Sequence, residues 1–432
     1  MLFLRPHSRE WLYLFTMINF DKFTLENGLK VIVHRDTSTQ LVSINILYNV
    51  GARVEDPDKT GFAHLFEHLM FGGSINIPSY DEPLQRAGGD NNAFTSNDVT
   101  DYYLTLPANN LETGFWLESD RMLNLTFSPK SLDVQRSVVI EEFKQRYLNQ
   151  PFGDVWLLLR PLAYKVHPYS WSTIGKEVAH IEDATLEDVK AFFKQYYCPD
   201  NAILVVAGNV TTDEVKQLCA KWFAPIPKGN TIHKILPQEP VQEEARTLEV
   251  TRKVPCDAIY KAYHCCARMD KEFYATELIT DVLSRGQSSR LYTALVKDQK
   301  LFSSIACYIT GDIDKGLIVV DGKINKDITM EAAEAGINGV LNDFMTNGIS
   351  DDELTKVKNK LESTLRFGEM NIADRALNLA YWELLDGAEN INHEIEYYFA
   401  VTKDEIIAEA KNVFKPTNCS TLYYKKDRVG EK

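Results

Sequence analysis

The chain has 432 residues, 44% hydrophobic and 25% charged, a globular composition too long for one ordinary core. A formal net charge of −14 argues against a nucleic-acid partner. No apolar run reaches the length of a membrane span. The seven scattered cysteines, without a C-x-x-C pair, point to a reducing, cytoplasmic compartment rather than a disulfide framework.

Residues 1–16, MLFLRPHSREWLYLFT, mix charged and apolar side chains and carry no small-residue cleavage site. They read as a non-native or disordered extension ahead of a fold that opens at Met17. Residues 22–36 alternate as a hairpin, with Asn27-Gly28 as a type I′ turn. Residues 41–52, LVSINILYNVGA, form the next strand. A helix follows, with Thr60-Gly61 to start it and Gly72-Gly73 to stop it. Phe62, Ala63, Leu65, Phe66, Leu69, Met70 and Phe71 make it apolar nearly all round, which marks a buried helix.

His64, Glu67 and His68 interrupt that apolar surface. At about 100° per residue, His68 lies near +40° and Glu67 near −60° of His64. All three share one arc, and the two imidazoles can reach one ion. Unpaired burial of such groups is costly, so they are metal-bound or hydrogen-bonded. The bland reading is two satisfied core histidines and a surface glutamate. The chemical reading is zinc (Zn²⁺), which in catalytic sites takes three protein ligands and leaves a position for water. A glutamate beside that water can take its proton. The order H-x-x-E-H is the mirror of H-E-x-x-H.

A polar loop (72–91), a strand region (93–106) and amphipathic helices at 109–124 and 130–149 follow. The second of these helices opens at Ser128-Pro129 and carries Val134, Val138, Val139, Phe143 and Tyr147 as its apolar positions. It also offers Glu141 and Glu142, either of which could complete the ligand set. Residues 151–175, rich in Pro, Gly and aromatics, read as irregular. A helix (185–197), a buried strand (202–210) and a helix (212–223) close the first half.

Residues 225–246 hold four prolines and little periodicity, the texture of a linker. The domain division read from this is 17–225, a linker at 226–245, and 246–432. Strands are expected at 259–267, 303–311 and 317–325, and helices at 273–298, 328–347, 351–386 and 402–414. The second half repeats the first. Thr185, Ala191, Lys194, Pro199 and Asn201 match Thr402, Ala408, Lys411, Pro416 and Asn418, all at an offset of 217. The fold class expected is α+β: two homologous α/β domains, each a mixed, mainly antiparallel sheet packed with helices.

Gln135-Arg136-Ser137-Val138-Val139-Ile140-Glu141-Glu142, with 73 residues between His68 and Glu142, resembles a segment of the pitrilysin/insulinase family of zinc peptidases. The likeness is strongest to its processing-peptidase-like branch with two-domain subunits. It extends to NGLKVIV, to residues 88–95 (GGDNNAFT) and to AGNVTTDEV. It implies a zinc metalloendopeptidase with His64, His68 and Glu142 on the metal, Glu141 being the runner-up, and with Glu67 as general base. Gln135 departs from the family's Glu, which puts outer tuning of the site in doubt rather than zinc binding. Asn92, Ala93 and Phe94 fall on the family's sheet edge, which pairs with extended peptide substrate.

The second half resembles the family at Ser289-Arg290-Leu291-Tyr292. The family's substrate-clamping Arg and Tyr then fall on Val296 and Ser303, which cannot serve, and Tyr308 fits only with a shifted register. The resemblance therefore implies the metal-bearing subunit of a homo- or heterodimer whose other member supplies the clamp. The alternatives are a non-catalytic structural subunit of a related complex and a zinc hydrolase of small amides.

Overall fold

The computed structural model describes residues 17–231 and 234–428. The expected extension, 1–16, lies outside the described residues. Six strands form the first sheet: β1 (Asp21–Thr24), β2 (Lys30–Arg35), β3 (Leu41–Tyr48), β4 (Asp90–Thr95), β5 (Thr100–Pro107) and β6 (Ala202–Gly208). Five form the second: β7 (Arg246–Arg252), β8 (Ala258–His264), β9 (Phe302–Ile309), β10 (Leu317–Ile324) and β11 (Cys419–Lys426). The orders are β1-β2-β6-β3-β5-β4 and β7-β11-β8-β10-β9. β2 runs parallel to β6 and β7 parallel to β11, while every other pairing is antiparallel. With β1 set aside, the two orders coincide. The α+β class and the duplication are thus as expected.

The helices that matter below are α1 (Phe62–Leu69), α2 (Pro129–Phe143), α3 (Val155–Ala163), α4 (Leu186–Tyr196), α5 (Ile372–Leu385) and α6 (Lys403–Val413). The repeated residues do the same work in each half. Thr185 and Thr402 close capping boxes with Asp188 and Glu405 at the starts of α4 and α6. The amides of Asn201 and Asn418 each donate, at 2.8 Å, to the carbonyl five residues back, that of Tyr196 and of Val413. Each thereby ties the end of a helix to the strand that follows.

Several expected elements differ. The first hairpin turn is not type I′, because Asn27 does not take a positive φ. Leu25 and Leu29 pair, the Gly28 N–H bonds Leu25 O, and Gly28 alone sits at φ +94°, a three-residue loop. Asn27 instead donates to the carbonyls of Phe223 and Ile226. The polar loop holds a short helix, Asp81–Arg86. The strand region at 93–106 is the hairpin β4–β5, and the helix expected at 351–386 is two, Asp351–Gly368 and α5. The helix expected at 273–298 ends at Ser284, with a π-helical segment, Tyr292–Asp298, beyond it. Residues 151–175 are not wholly irregular, since they contain α3. β7 was not foreseen. Its side chains are half-buried or exposed throughout, so it carries little hydrophobic signal.

Two helices cross between the halves. Val155, Leu159 and Ala163 of α3 pack with Ala258, Tyr260, Leu317, Val319 and Leu422 of the second sheet. In return, Ala376, Leu379, Ala380 and Trp382 of α5 pack on Ile32, Leu47, Ile203 and Val205 of the first. Each sheet therefore has one face covered by a helix from the other half. The described residues of 224–245 hold no helix or strand. We propose that they are the link between two halves that interlock in this way.

Candidate metal centre

The centre begins with α1. Gly61 precedes it at φ +91°, and a Cβ there would lie 2.8 Å from Ile174 O. Buried Glu55 accepts hydrogen bonds from the Gly61 N–H (2.9 Å), the Ala63 N–H (2.8 Å) and Trp171 Nε1 (3.2 Å), which satisfies donors the helix start leaves free. Phe62, Ala63, Leu65, Phe66 and Leu69 are buried. Phe66 stacks on Phe192 of α4 and on Tyr197, with ring centroids 5.1 Å away in each case. That packing leaves a half-buried face carrying His64, Glu67 and His68.

Helix α2 supplies the third group. Ser128 Oγ accepts from the Ser131 N–H, and Pro129 fills the first turn, where its missing N–H costs nothing. Val139 and Phe143 are buried and fix the roll of the helix. Val134 and Val138, expected on the apolar side, are 50% and 44% exposed. Glu142 faces α1. Glu141, about 100° around the helix, points outward to Lys144.

His64 Nε2 and His68 Nε2 lie 3.3 Å apart. Glu142 Oε2 is 3.6 Å from the first and 3.4 Å from the second. A tetrahedral zinc ion with bonds of about 2.0–2.1 Å needs ligand atoms roughly 3.4 Å apart. The three groups fit such an ion, and among the described residues they are the one cluster of His, Cys, Asp and Glu close enough to hold a metal. His64 Nδ1 is buried without a hydrogen-bond partner, so packing and its two neighbours orient the ring.

Burial drives His64 down to about 4, against the pull of Glu142, so its imidazole is neutral as a metal requires. The His68 hydrogen bond holds Glu142 below the usual carboxylate range against burial, with His64 and Arg146 adding to the effect. Burial raises Glu67, while hydrogen bonds with Thr95 oppose the shift. Arg146 Nη1 sits 2.8 Å from Glu142 Oε1, the oxygen turned away from the histidines.

These groups line a cleft of about 400 Å³ with Asn92, Ala93, Phe94 and Thr95 of β4, and with Arg146, Tyr147, Thr173 and Ile174. β4 is the edge of its sheet, paired only with β5. A second-half loop fixes the turn beyond it. Asn97 Nδ2 donates to Asp312 Oδ1 (2.7 Å), the Ile313 N–H to Asp98 Oδ2 (3.0 Å), and Arg53 bridges Asp98 and Asp314. The structure thus brings together all seven site residues expected from the sequence. Among the described residues no second-half side chain lines the cleft: Val296 is packed against the second core, and Ser303 Oγ bonds Lys323 O. Glu55 and Arg146 were not foreseen. Arg146 left a signal, since it stands four residues after Glu142, at the spacing that puts opposite charges side by side on a helix.

The insulinase family model (peptidase family M16) matches residues 30–163, and the peptidase M16 inactive domain matches residues 183–361. Zinc protease PqqE of Helicobacter pylori is 29% identical over 413 residues, 94% of this chain and 92% of that protein. An uncharacterized zinc protease of Bacillus subtilis, YmxG, is 25% identical over 91% of this chain and 95% of its own length. The crystal structure of a protease from Helicobacter pylori superposes with a TM-score of 0.89 at 29% identity, covering 95% of this chain and 100% of that one. His64, His68 and Glu142 all fall within the first match, and no helix among the described residues is long and apolar enough to cross a membrane. With its two halves matched in order, at residues 30–163 and 183–361, the chain belongs to the insulinase family, peptidase family M16.

Proposed function

We propose that this protein is a zinc-dependent metalloendopeptidase that hydrolyses oligopeptides or unfolded segments. One observation carries the reading: two imidazole nitrogens and a carboxylate oxygen stand 3.3–3.6 Å from one another, in a cleft that also holds Glu67 and an open sheet edge. His64, His68 and Glu142 would hold the ion. When bound, zinc supplies Lewis acidity toward water and the scissile carbonyl. Glu67 lies one residue before His68 on the same helical face, so its carboxylate reaches the same space. It takes the proton of the attacking water and returns it to the leaving amine. Its burial, which favours the protonated form, suits a group that must carry that proton between the two steps.

β4 gives an extended peptide a strand to pair with. Main-chain bonds there are indifferent to sequence, and Asn92, Ala93 and Phe94 set the side-chain contacts. Because the described residues lining the cleft all come from the first half, we take the chain as the metal-bearing member of a pair. The second member, another copy or a relative, supplies the missing clamp.

Metal analysis with a quenched-peptide assay tests this. Zinc near one per chain, with cleavage abolished in Glu67→Gln at unchanged zinc content, is the expected result. Protein that takes up no zinc would make it a structural subunit. Zinc without peptide cleavage, alone or with a partner, would leave a hydrolase of small amides.

A further inference from the structure

We infer that Arg146 forms a carboxylate-binding subsite in the cleft, which selects peptides with an acidic group near the cleaved bond. The inference rests on the peptidase reading for its substrate, but not for its geometry. Apart from the histidines, the charged side chains lining the cleft among the described residues are Glu67, Glu142 and Arg146, so Arg146 is the one fixed positive charge among them. A guanidinium carries five N–H donors in a planar fork. Here Nη1 is engaged by Glu142 Oε1, and the side chain is 69% exposed. The remaining donors are free to meet a second carboxylate.

The position is built by the chain. After Phe143, α2 widens into a π-helical segment, Lys144–Leu148. Tyr147 packs against Phe143 with ring centroids 5.7 Å apart and anchors that segment. Arg146, one residue earlier, reaches along the helix to Glu142 through Nη1 and is one of the residues lining the cleft. The ion pair with Glu142 limits the loss of side-chain freedom when a ligand arrives, which favours an Arg over a flexible Lys here. A net charge of −14 repels acidic peptides at long range. A preference for them therefore cannot come from the molecule as a whole and must come from a local contact.

A peptide carboxylate has two sources, an Asp or Glu side chain and the C-terminus. The test uses fluorescent peptides that differ only by Asp against Asn at each position around the bond, and by a free against an amidated C-terminus. Binding is measured by anisotropy on the full chain, loaded with zinc and carrying Glu67→Gln, with and without Arg146→Glu or Arg146→Lys. Zinc content is measured alongside, because Arg146 touches Glu142. The expected result is binding about tenfold tighter for one acidic peptide than for its neutral twin. That ratio should be lost or inverted in Arg146→Glu and partly kept in Arg146→Lys. The position that responds says whether side chain or C-terminus is read. Equal ratios in all three proteins at equal zinc, or no peptide binding, would overturn the inference. An acid preference in binding together with no cleavage by zinc-loaded wild type, alone or with a partner, would sink the peptidase reading alone.

Discussion

Glu55 and Ala63 are joined by a 2.8 Å hydrogen bond from the Ala63 N–H to Glu55 Oε1, and through it the helix that carries both histidines is held at its first turn. Burial pushes Glu55 up to about 8, against the pull of Ala63, Gly61 and Trp171. The folded protein therefore binds this proton more tightly than the unfolded chain does, whose glutamate titrates near 4.5. The stability tied to it is complete below that value and is lost as pH rises through about 8. Glu55→Gln removes the titration and leaves one N–H short of an acceptor, at a cost of about 1–3 kcal/mol. Thermal melts of both proteins between about pH 5 and about pH 9 are expected to show the wild-type advantage shrinking with pH. A constant difference across that range would refute the assignment.

The two glutamates of α2 separate by their surroundings. Glu142→Ala is expected to lower zinc affinity by at least tenfold, since it removes a ligand atom. Glu141→Ala leaves zinc binding as in wild type, because that side chain meets only Lys144 at the surface. Isothermal titration with zinc measures both. Removing zinc with a chelator should also lower Tm. At a free ion concentration of 100 times Kd, binding contributes about 2.7 kcal/mol. In Glu142→Ala, at the same free zinc, the chelator should move Tm less.

The histidine helix was legible because its pattern is local. An apolar sequence interrupted only at 64, 67 and 68 leaves one direction in which those side chains can share space. The glutamate pair was legible only as a pair, since the choice depends on Val139 and Phe143 meeting the core, and that is tertiary information. Glu55 left no mark, because it reaches the helix from a loop six residues upstream of Gly61 and shows none of the spacing of a capping box. Asn27-Gly28 misled for a related reason: Asn27 is bound to carbonyls almost two hundred residues away, and that contact overrides the local turn preference. The duplicated topology showed through at 185–206 and 402–424, where the same residues cap and tie in both halves.

Asp312 joins the halves beside the cleft and is expected to split two substitutions that look alike. Asp312→Ala strips Asn97 of its acceptor in a buried site and should cost about 1–3 kcal/mol. Asp312→Asn keeps an acceptor for Asn97 and removes a negative charge that pushes on buried Asp98. Its stability by denaturant melt should equal or exceed that of wild type at neutral pH. Because Asn97 and Asp98 form the turn that ends β4, Asp312→Ala should also raise KM for peptide more than it lowers kcat. Parallel losses in both would mean the turn does not position the edge strand.

The exchanged helices carry the last expectation. Leu379 of α5 is fully buried against the first sheet, and Leu159 of α3 is buried against the second. Truncating either to Ala should cost about 2–5 kcal/mol. If each sheet depended on its own half alone, Leu379→Ala would weaken one transition and spare the other. Since each sheet is covered by the opposite half, either substitution should shift one common transition, seen by calorimetry as a single peak that moves without splitting. Residues 17–225 expressed alone should expose Ile32, Leu47, Ile203 and Val205, the face that α5 covers, and bind a hydrophobic dye. Two resolved transitions, or a well-folded isolated half, would show that the crossing helices add surface cover without joining the halves.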